Sequence, residues 1–441
     1  MFFKSKYLLL LASLLFATIS NAQETDGVQK LMTLNAAIDA ALEQNFDIRI
    51  SKTELEQAKA NNTIGNAGML PDVSLQGGVN GSINDTRLEL ASGQIQDRRG
   101  ATSRGISGAV LLNWTLFDGM QMFINKDRLE ELERTGNIAL KEQVQNTVAQ
   151  VINAYASVVR QKQQLVAIDT AMSLAKVRMD IAQRTFEIGT AAKTDYLQAQ
   201  VDYNASRAAH LTQEANLRQA KDSLLIAIAR DQFNDYDVED SLHLNKSLTF
   251  RDKADWMMVN FSRQLAQQQK YIAQYDLKLA KAAQLPRLDL TGAYNYNKTI
   301  SGAGFALFNR AYGPQGGLTL SVPIFNGFNV QRQKKVATQE VFRQDLLIAQ
   351  LETSLAARYR TAWRAYDNAL KGLELEKENI TYAQENVMIQ QARFRVGVAN
   401  TLELREAENS YVSALARLSD AAFSVKISET RLLELENNLV K

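Results

Sequence analysis

Apolar positions along this chain follow two different periods. Val144, Val148, Val151, Tyr155 and Val158 step by 4, 3, 4 and 3, and after one slip Ile168, Met172, Ala175, Met179, Ala182 and Phe186 step likewise. A sustained average of 3.5 residues predicts helices packed by knobs into holes. The segments that carry it are rich in Ala, Leu, Gln, Glu, Lys and Arg, all strong helix formers. They are almost free of proline and glycine, with Gly136 and Gly372 the interior exceptions. One helix running from Gly119 to Gly189 would extend roughly 100 Å at about 1.5 Å per residue. A rod of that length has to be packed along most of itself to persist.

In two other regions, 65–119 and 292–327, the period changes to two. Most glycines lie there, and all four prolines, Pro71, Pro286, Pro314 and Pro323, lie in or beside them. Val73, Leu75 and Val79 alternate with Ser74, Gln76 and Asn80, and Val110, Leu112, Trp114 and Leu116 share one face. Leu288, Leu290, Tyr294 and Tyr296 form a third alternating set; Leu318, Leu320, Val322 and Ile324 form a fourth. Four strands of roughly ten residues are predicted, the length of a tilted membrane strand. A half-buried sheet packed on helices produces the same alternation. Two features favour the membrane: an aromatic fringe (Trp114, Phe117, Tyr294, Tyr296, Phe325), and long polar loops, "SINDTRLELASGQIQDRRGATSRG" and "KTISGAGFALFNRAYG". Four strands cannot enclose a lumen, and open edges are not tolerated in lipid. Several chains would therefore have to pool their strands, eight being about the practical minimum and an aqueous channel needing more.

The two halves match without gaps at an offset of 208: Phe117 with Phe325, Gly119 with Gly327, Tyr155 with Trp363, Phe186 with Phe394, Gly189 with Gly397, Tyr203 with Tyr411. Aromatic and glycine matches carry more weight than heptad alanines, and they indicate one large duplicated unit rather than short repeats. The expected organisation is a leader at 1–22 and a first repeat at 23–229, with strand pair near 70–119 and helical hairpin near 120–229. A linker at 230–254 follows, then a second repeat at 255–441 with strand pair near 285–327 and hairpin near 328–437. The leader shows Lys4 and Lys6, an apolar stretch from 7 to 19, and small residues Ser20 and Ala22 before Gln23. That is the pattern of a cleaved secretory signal peptide; a buried N-terminal helix is the alternative.

Composition narrows the chemistry. Among 441 residues there is no cysteine, so no disulfide, thiolate metal site or lipid anchor on a processed N-terminal cysteine is expected. A formal charge of +2 gives no reason to expect nucleic acid as a partner. No later run reaches the roughly 18 apolar residues of a transmembrane helix. The two histidines, His210 in a polar helical stretch and His243 in the linker, lie far apart, and no catalytic or nucleotide motif is present. Met172 and Met179 sit on a heptad seam as core residues rather than a soft-metal path. No catalysis, cofactor or metal is expected.

The opening "LMTLNAAIDAALEQNFDIRI", the paired "LPDVSLQGGVN" and "LPRLDLTGAYN", and the paired "NWTLFDG" and "SVPIFNG" together resemble the TolC family of outer-membrane efflux and secretion channels. The tips "FEIGTAAKTDYLQAQ" and "FRVGVANTLELREAE" extend that resemblance over essentially the whole mature chain. It implies a mainly α protein with a transmembrane β-barrel. Long coiled-coil helices would form an α-helical barrel in the periplasm, and four β-strands per chain would contribute to a 12-stranded barrel in a homotrimer. The implied role is a passive exit duct in the outer membrane for a tripartite efflux or type I secretion system. Its partners would be outer-membrane lipid, a periplasmic adaptor and an inner-membrane pump. Without a cysteine the chain resembles the unlipidated branch.

On that resemblance Gly189 and Gly397 are hairpin turns at the periplasmic tip, with Thr190, Lys193, Val398 and Thr401 as candidate adaptor contacts. Glu403 and Glu406, just beyond the second turn, match the acidic residues lining the family's constriction; three chains would stack two carboxylate rings favouring cations. Asp195 is the first-repeat equivalent of Glu403. The other reading of the two glutamates is an ordinary solvated helix face. Relatives that lock the tip with a tyrosine before the turn and an arginine after it differ here, where Phe394 and Ala399 stand and cannot make those polar links. A periplasmic adaptor or a structural coiled-coil envelope protein are the competing readings; neither calls for two matched helix-and-strand units.

Overall fold

A computed structural model of the chain describes residues 30–230, 236–302 and 306–440; the expected leader lies outside them. The chain opens with β1 (Lys30–Met32), α1 (Leu34–Gln44) and α2 (Phe46–Asn61), then runs through β2 (Asp72–Glu89) and β3 (Ile95–Phe117). Two long helices follow, α3 (Gln121–Glu187) and α4 (Lys193–Ala227). After β4 (Tyr236–Val238), α5 (Lys253–Met257) and α6 (Phe261–Ala282), the series recurs as β5 (Arg287–Ser301), β6 (Phe308–Ser321), α7 (Asn329–Arg395) and α8 (Thr401–Leu435).

The recurrence is close in the helices. α3 and α7 have 67 residues each, and α4 and α8 have 35 each. Every bound of one pair is displaced from its counterpart by the offset seen in the sequence. The special backbone conformations recur with them: Gly119 and Gly327, Met120 and Phe328, Gly189 and Gly397, and Ala229 and Asn437 all have positive φ. Such positions end or begin helices, because a left-handed residue stops the i→i−4 ladder.

All three neighbouring pairs in the sheet β2-β3-β5-β6 are antiparallel. Its strands have 18, 23, 15 and 14 residues, well beyond the ten expected. The first "loop" is in large part strand: β2 continues to Glu89 and β3 resumes at Ile95, so the polar stretch is a hairpin arm. Two further expectations change. Leu116 does not continue the face of Trp114: a register shift between Thr115 and Phe117 leaves it as the extra residue of a bulge, and Phe117 stands opposite Leu288 instead. Val322 and Ile324 lie past the end of β6 at Ser321, in a segment where Pro323 offers no ladder donor.

Residue contacts divide the chain into two units. Among the described residues, the first comprises those to Ala41, Val151–Leu244 and Leu373–Phe423. Its core sets Val151, Tyr155, Val158 and Val159 of α3 against Leu224, Leu225 and Ile228, with Ala37, Ala40 and Ala41 of α1 packed in. The small α1 residues let that helix approach closely. The Tyr155 hydroxyl donates to the Met32 carbonyl at 3.1 Å and accepts the Glu239 N–H at 3.3 Å. That fastens β1, which pairs in parallel with β4, to the segment just after β4.

The second unit, Leu42–Gln150, Asn245–Gly372 and Ser424–Lys441, contains the four-stranded sheet. Asn45 and Asn260 cap α2 and α6 by accepting backbone N–H groups of the first turn. Trp256, buried, stacks on Tyr359 with centroids 4.6 Å apart. The Tyr359 hydroxyl donates to Glu436 Oε1 at 2.8 Å and accepts the Arg251 N–H at 3.1 Å. Burial, with the Glu436 carboxylate beside it, pushes that hydroxyl up to about 12. The stretch expected as a linker thus carries β4 and is fastened at Arg251.

Candidate channel wall and gate

Cross-strand partners share a face of a sheet, so the register sorts every strand residue. One face collects Val73, Leu75, Val79 and Ile83 from β2, Ile106, Val110, Leu112 and Trp114 from β3, and their partners Leu290, Tyr294, Tyr296, Leu318, Leu320 and Tyr312. The opposite face collects Ser74, Gln76 and Asn80, then Ser107 and Asn113, then Thr291, Asn295, Gln315 and Thr319. A soluble sheet would hide its apolar face, yet Leu75 and Val79 are 81% and 82% exposed. Leu318 and Leu320 are likewise exposed, and Val110 and Trp114 partly so. An uncovered apolar face of this extent calls for a membrane or a partner. Of the sets Val110, Leu112, Trp114, Leu116 and Leu318, Leu320, Val322, Ile324 read from the sequence, Val110, Leu112, Trp114, Leu318 and Leu320 lie on it.

Aromatics bound the face. The Trp114 indole donates to the Met69 carbonyl at 3.0 Å, fixing the lower end of β3 to the segment before β2. On the polar face, Arg287 grips Asp289 through both carboxylate oxygens at 2.9 and 2.8 Å, and Thr115 donates to the same carboxylate at 2.8 Å.

The two helical turns are near copies. Gly189 N–H donates to the Phe186 carbonyl and Thr190 N–H to Thr185; 208 residues on, Gly397 donates to Phe394 and Val398 to Arg393. With φ of 74° and 76° at the glycines, both are left-handed caps of the Schellman type. The Thr190 hydroxyl closes onto the Thr185 carbonyl at 3.1 Å, so it serves the turn. Beside the glycines, Ile188 and Val396 are 73% and 74% exposed, and Val398 and Leu402 are exposed too. Val398 was expected here from the sequence, but Ile188 and Val396 were not; their matched places directly before each glycine were the available signal.

Glu403 and Glu406 are both exposed on α8. Glu403 also caps its own helix. Its N–H donates to Asn400 Oδ1 at 2.9 Å, and its Oε1 accepts from Asn400 Nδ2 at 3.0 Å. The arrangement is reciprocal, side chain to backbone and side chain to side chain. Arg393 across the turn stands 4.0 Å from Glu403. Asp195 is exposed in the first turn of α4, where its charge complements the helix dipole. Lys193, exposed, begins α4, and Thr401, partly buried, begins α8.

The residues most deeply committed near the turns were not picked out in the sequence. Arg178 of α3, 4% exposed, forms an ion pair with buried Glu408 of α8 and reaches Asp202 of α4 at 3.0 Å. Burial raises the Glu408 carboxyl above its usual range; Arg178 opposes this and Asp202 adds to it. The available signal was an arginine three residues after Ala175 and four before Ala182, both on the seam. His210, in its polar helical stretch, meets Asp169 at 3.0 Å. Among the described residues no cluster of metal-binding side chains occurs, and no helix is long and apolar enough to cross a membrane.

An exposed apolar sheet face joined to duplicated helical hairpins is the architecture of an outer-membrane channel protein. The chain belongs to the outer membrane efflux protein family, whose pattern it matches over residues 37–230 and 260–438. It is 23% identical over 411 residues to the outer membrane efflux protein BepC of Brucella suis, covering 91% of this chain and 84% of the relative. Over 391 residues it is 24% identical to CyaE of Bordetella pertussis, covering 88% and 80%. Among solved structures, CusC superposes with a TM-score of 0.76 at 16% identity, covering 91% of both chains. The CmeC outer membrane channel of Campylobacter jejuni gives 0.74 at 16% identity, covering 92% of this chain and 85% of that one. The protein is therefore an outer-membrane channel of the efflux and secretion type.

Proposed function

We propose that three copies assemble head to tail into one duct, β6 of each pairing with β2 of the next to close a 12-stranded barrel. The carrying observation is the four-stranded sheet with one apolar face and two unpaired edges. Lipid tolerates the face but not the edges, since an unpaired backbone group costs several kcal/mol there. Edge-to-edge pairing by rotation closes a ring and removes every edge. The polar face then lines the lumen.

The long helices form a periplasmic tunnel, and the turns at Gly189 and Gly397 form its tip. Rings of Glu403 and Glu406 make a narrow, cation-favouring gate there, and Asp195 contributes to tip contacts. The exposed apolar residues Ile188, Val396 and Val398, with Gly189, Thr190, Lys193, Gly397 and Thr401 around them, dock a periplasmic adaptor that links the duct to an inner-membrane pump. The chain carries no catalysis and takes its driving force from that pump.

Because the chain lacks cysteine, engineered thiols report cleanly on edge pairing. Gln76→Cys in β2, combined in turn with Gln315→Cys, Gly317→Cys or Thr319→Cys in β6, should give disulfide-linked dimers and trimers on oxidation. A complete scan of both edges yielding only monomer would sink the shared barrel.

A further inference from the structure

Within the apolar face one band is basic. The register sets Arg104 between Gly81 and Ile300, and in the adjoining row Ile106 lies between Val79 and Lys298, which pairs in turn with Arg310. These three cations share the face of Leu75 and Val110, not the polar face. Val79, Gly81, Arg104, Ile106, Lys298 and Ile300 line a depression of about 400 Å³ on it. Lys298 is half-buried, with its ammonium 5.9 Å from the Phe308 ring centroid. Among the described residues no carboxylate pairs with Arg104, Lys298 or Arg310. Three cations without a carboxylate partner on an otherwise apolar surface suit an anion.

Height on the sheet identifies that anion. At about 3.3 Å per residue and a tilt near 40°, a strand climbs about 2.5 Å per residue along the membrane normal. Arg104 thus stands roughly 30 Å above Phe117, about the thickness of the hydrocarbon core. The row below the basic band carries Tyr296 and Tyr312 as an aromatic girdle. The band accordingly lies at headgroup level, at the end of the sheet away from the helices, which is the outer leaflet.

We propose that this band is a binding site for the phosphate groups of an anionic lipid of the outer leaflet. Arg104, Lys298 and Arg310 hold the phosphates; Val79, Ile106 and Ile300 pack the first acyl carbons. Guanidinium forks suit phosphate oxygens, and the ammonium adds a point charge. The open space at Gly81, where an added Cβ would meet only the Ser103 carbonyl at 3.8 Å, admits the headgroup. The assignment rests on the outward-facing barrel proposed above.

The test reconstitutes the purified trimer in phosphatidylcholine vesicles containing a bisphosphorylated acylated disaccharide lipid. Parallel vesicles hold its dephosphorylated counterpart, or the phosphorylated lipid together with millimolar inorganic phosphate. Lipid retained per trimer after detergent re-extraction is quantified for the wild type, for Arg104→Gln/Lys298→Gln/Arg310→Gln, and for Gly81→Leu, which fills the depression and leaves the charges. The wild type should retain the phosphorylated lipid at least tenfold better than the triple variant, with Gly81→Leu also impaired and the dephosphorylated lipid not retained. Inserted trimers that retain both lipids equally, or a triple variant that retains as much as wild type, overturn the proposal alone. Retention abolished by inorganic phosphate assigns a simple anion site and overturns the lipid. Failure of the wild type to insert as a trimer overturns the barrel on which the site depends.

Discussion

Arg178 and Glu408 are joined by a buried ion pair that ties α3 of the first hairpin to α8 of the second. Asp202 of α4, held by the same guanidinium at 3.0 Å, brings in a third helix. Two carboxylates therefore share one buried cation, with Arg405 reaching Asp202 only at 4.0 Å. Removing the cation should be far worse than removing one carboxylate. Arg178→Met leaves both acids in a poorly solvated site and should cost about 3–5 kcal/mol. Glu408→Gln keeps the volume and relieves the desolvation cost, so it should cost much less. Thermal unfolding of the detergent-solubilised protein, followed by circular dichroism, ranks the two, and equal losses would contradict this.

The same cluster carries a pH signature. Because burial raises the Glu408 carboxyl in the folded protein, between the unfolded and folded values the folded state holds a proton that the unfolded chain has already released. Stability from this group is present below the unfolded value and declines as pH rises through the folded one. Wild-type melting temperature should therefore show a component that falls with rising pH just above the usual carboxylate range. Glu408→Gln should lack it, and an unchanged slope in that variant would assign the dependence elsewhere.

At the turns, Gly189 and Gly397 have open space around a built Cβ but left-handed backbones. The penalty for a side chain there is conformational rather than steric, about 1–2 kcal/mol. Gly189→Ala and Gly397→Ala should each accelerate proteolysis at the tip. Gly372, helical with equally open surroundings, is the control: Gly372→Ala should gain up to about 1 kcal/mol. A gain at all three positions would show that the turns do not need glycine.

On the sheet, Leu75 and Gln76 are neighbours on opposite faces. Leu75→Arg places a charge against lipid and should cost about 2–4 kcal/mol per copy near the bilayer midplane. Gln76→Arg lies on the polar face, the lumen side of the proposed barrel, and should be tolerated. The yield of assembled trimer in outer-membrane fractions separates them; equal yields would mean the faces are wrongly assigned.

The helices and both turns were legible because seam residues such as Val151 and Val158 repeat at 3.5 and glycine marks each reversal. Strand lengths were not, because beyond the apolar band both faces of β2 turn polar and the alternation that signals a strand fades. The bulge at Leu116 is invisible in a pattern where Leu116 continues the Trp114 series and Phe117 is equally apolar. The three-residue β4 is too short to carry a period. Arg178 and Glu408 lie far apart in sequence, and only the packing of α3, α4 and α8 shows that they meet. The place of Glu403 just beyond the second turn was legible, but the capping of α8 by Asn400 and Glu403 required geometry.

That cap decides how the central claim is tested. Alanine at Glu403 would remove a charge and the acceptor for Asn400 Nδ2 together, whereas glutamine keeps an acceptor oxygen there. The measurement is single-channel conductance of purified trimers in planar bilayers, comparing wild type with Glu403→Gln/Glu406→Gln. The wild type should show small, cation-selective steps, and the double variant should pass more current with weaker selectivity. Trimers that insert but carry no current in either form would contradict a channel gated by these carboxylates.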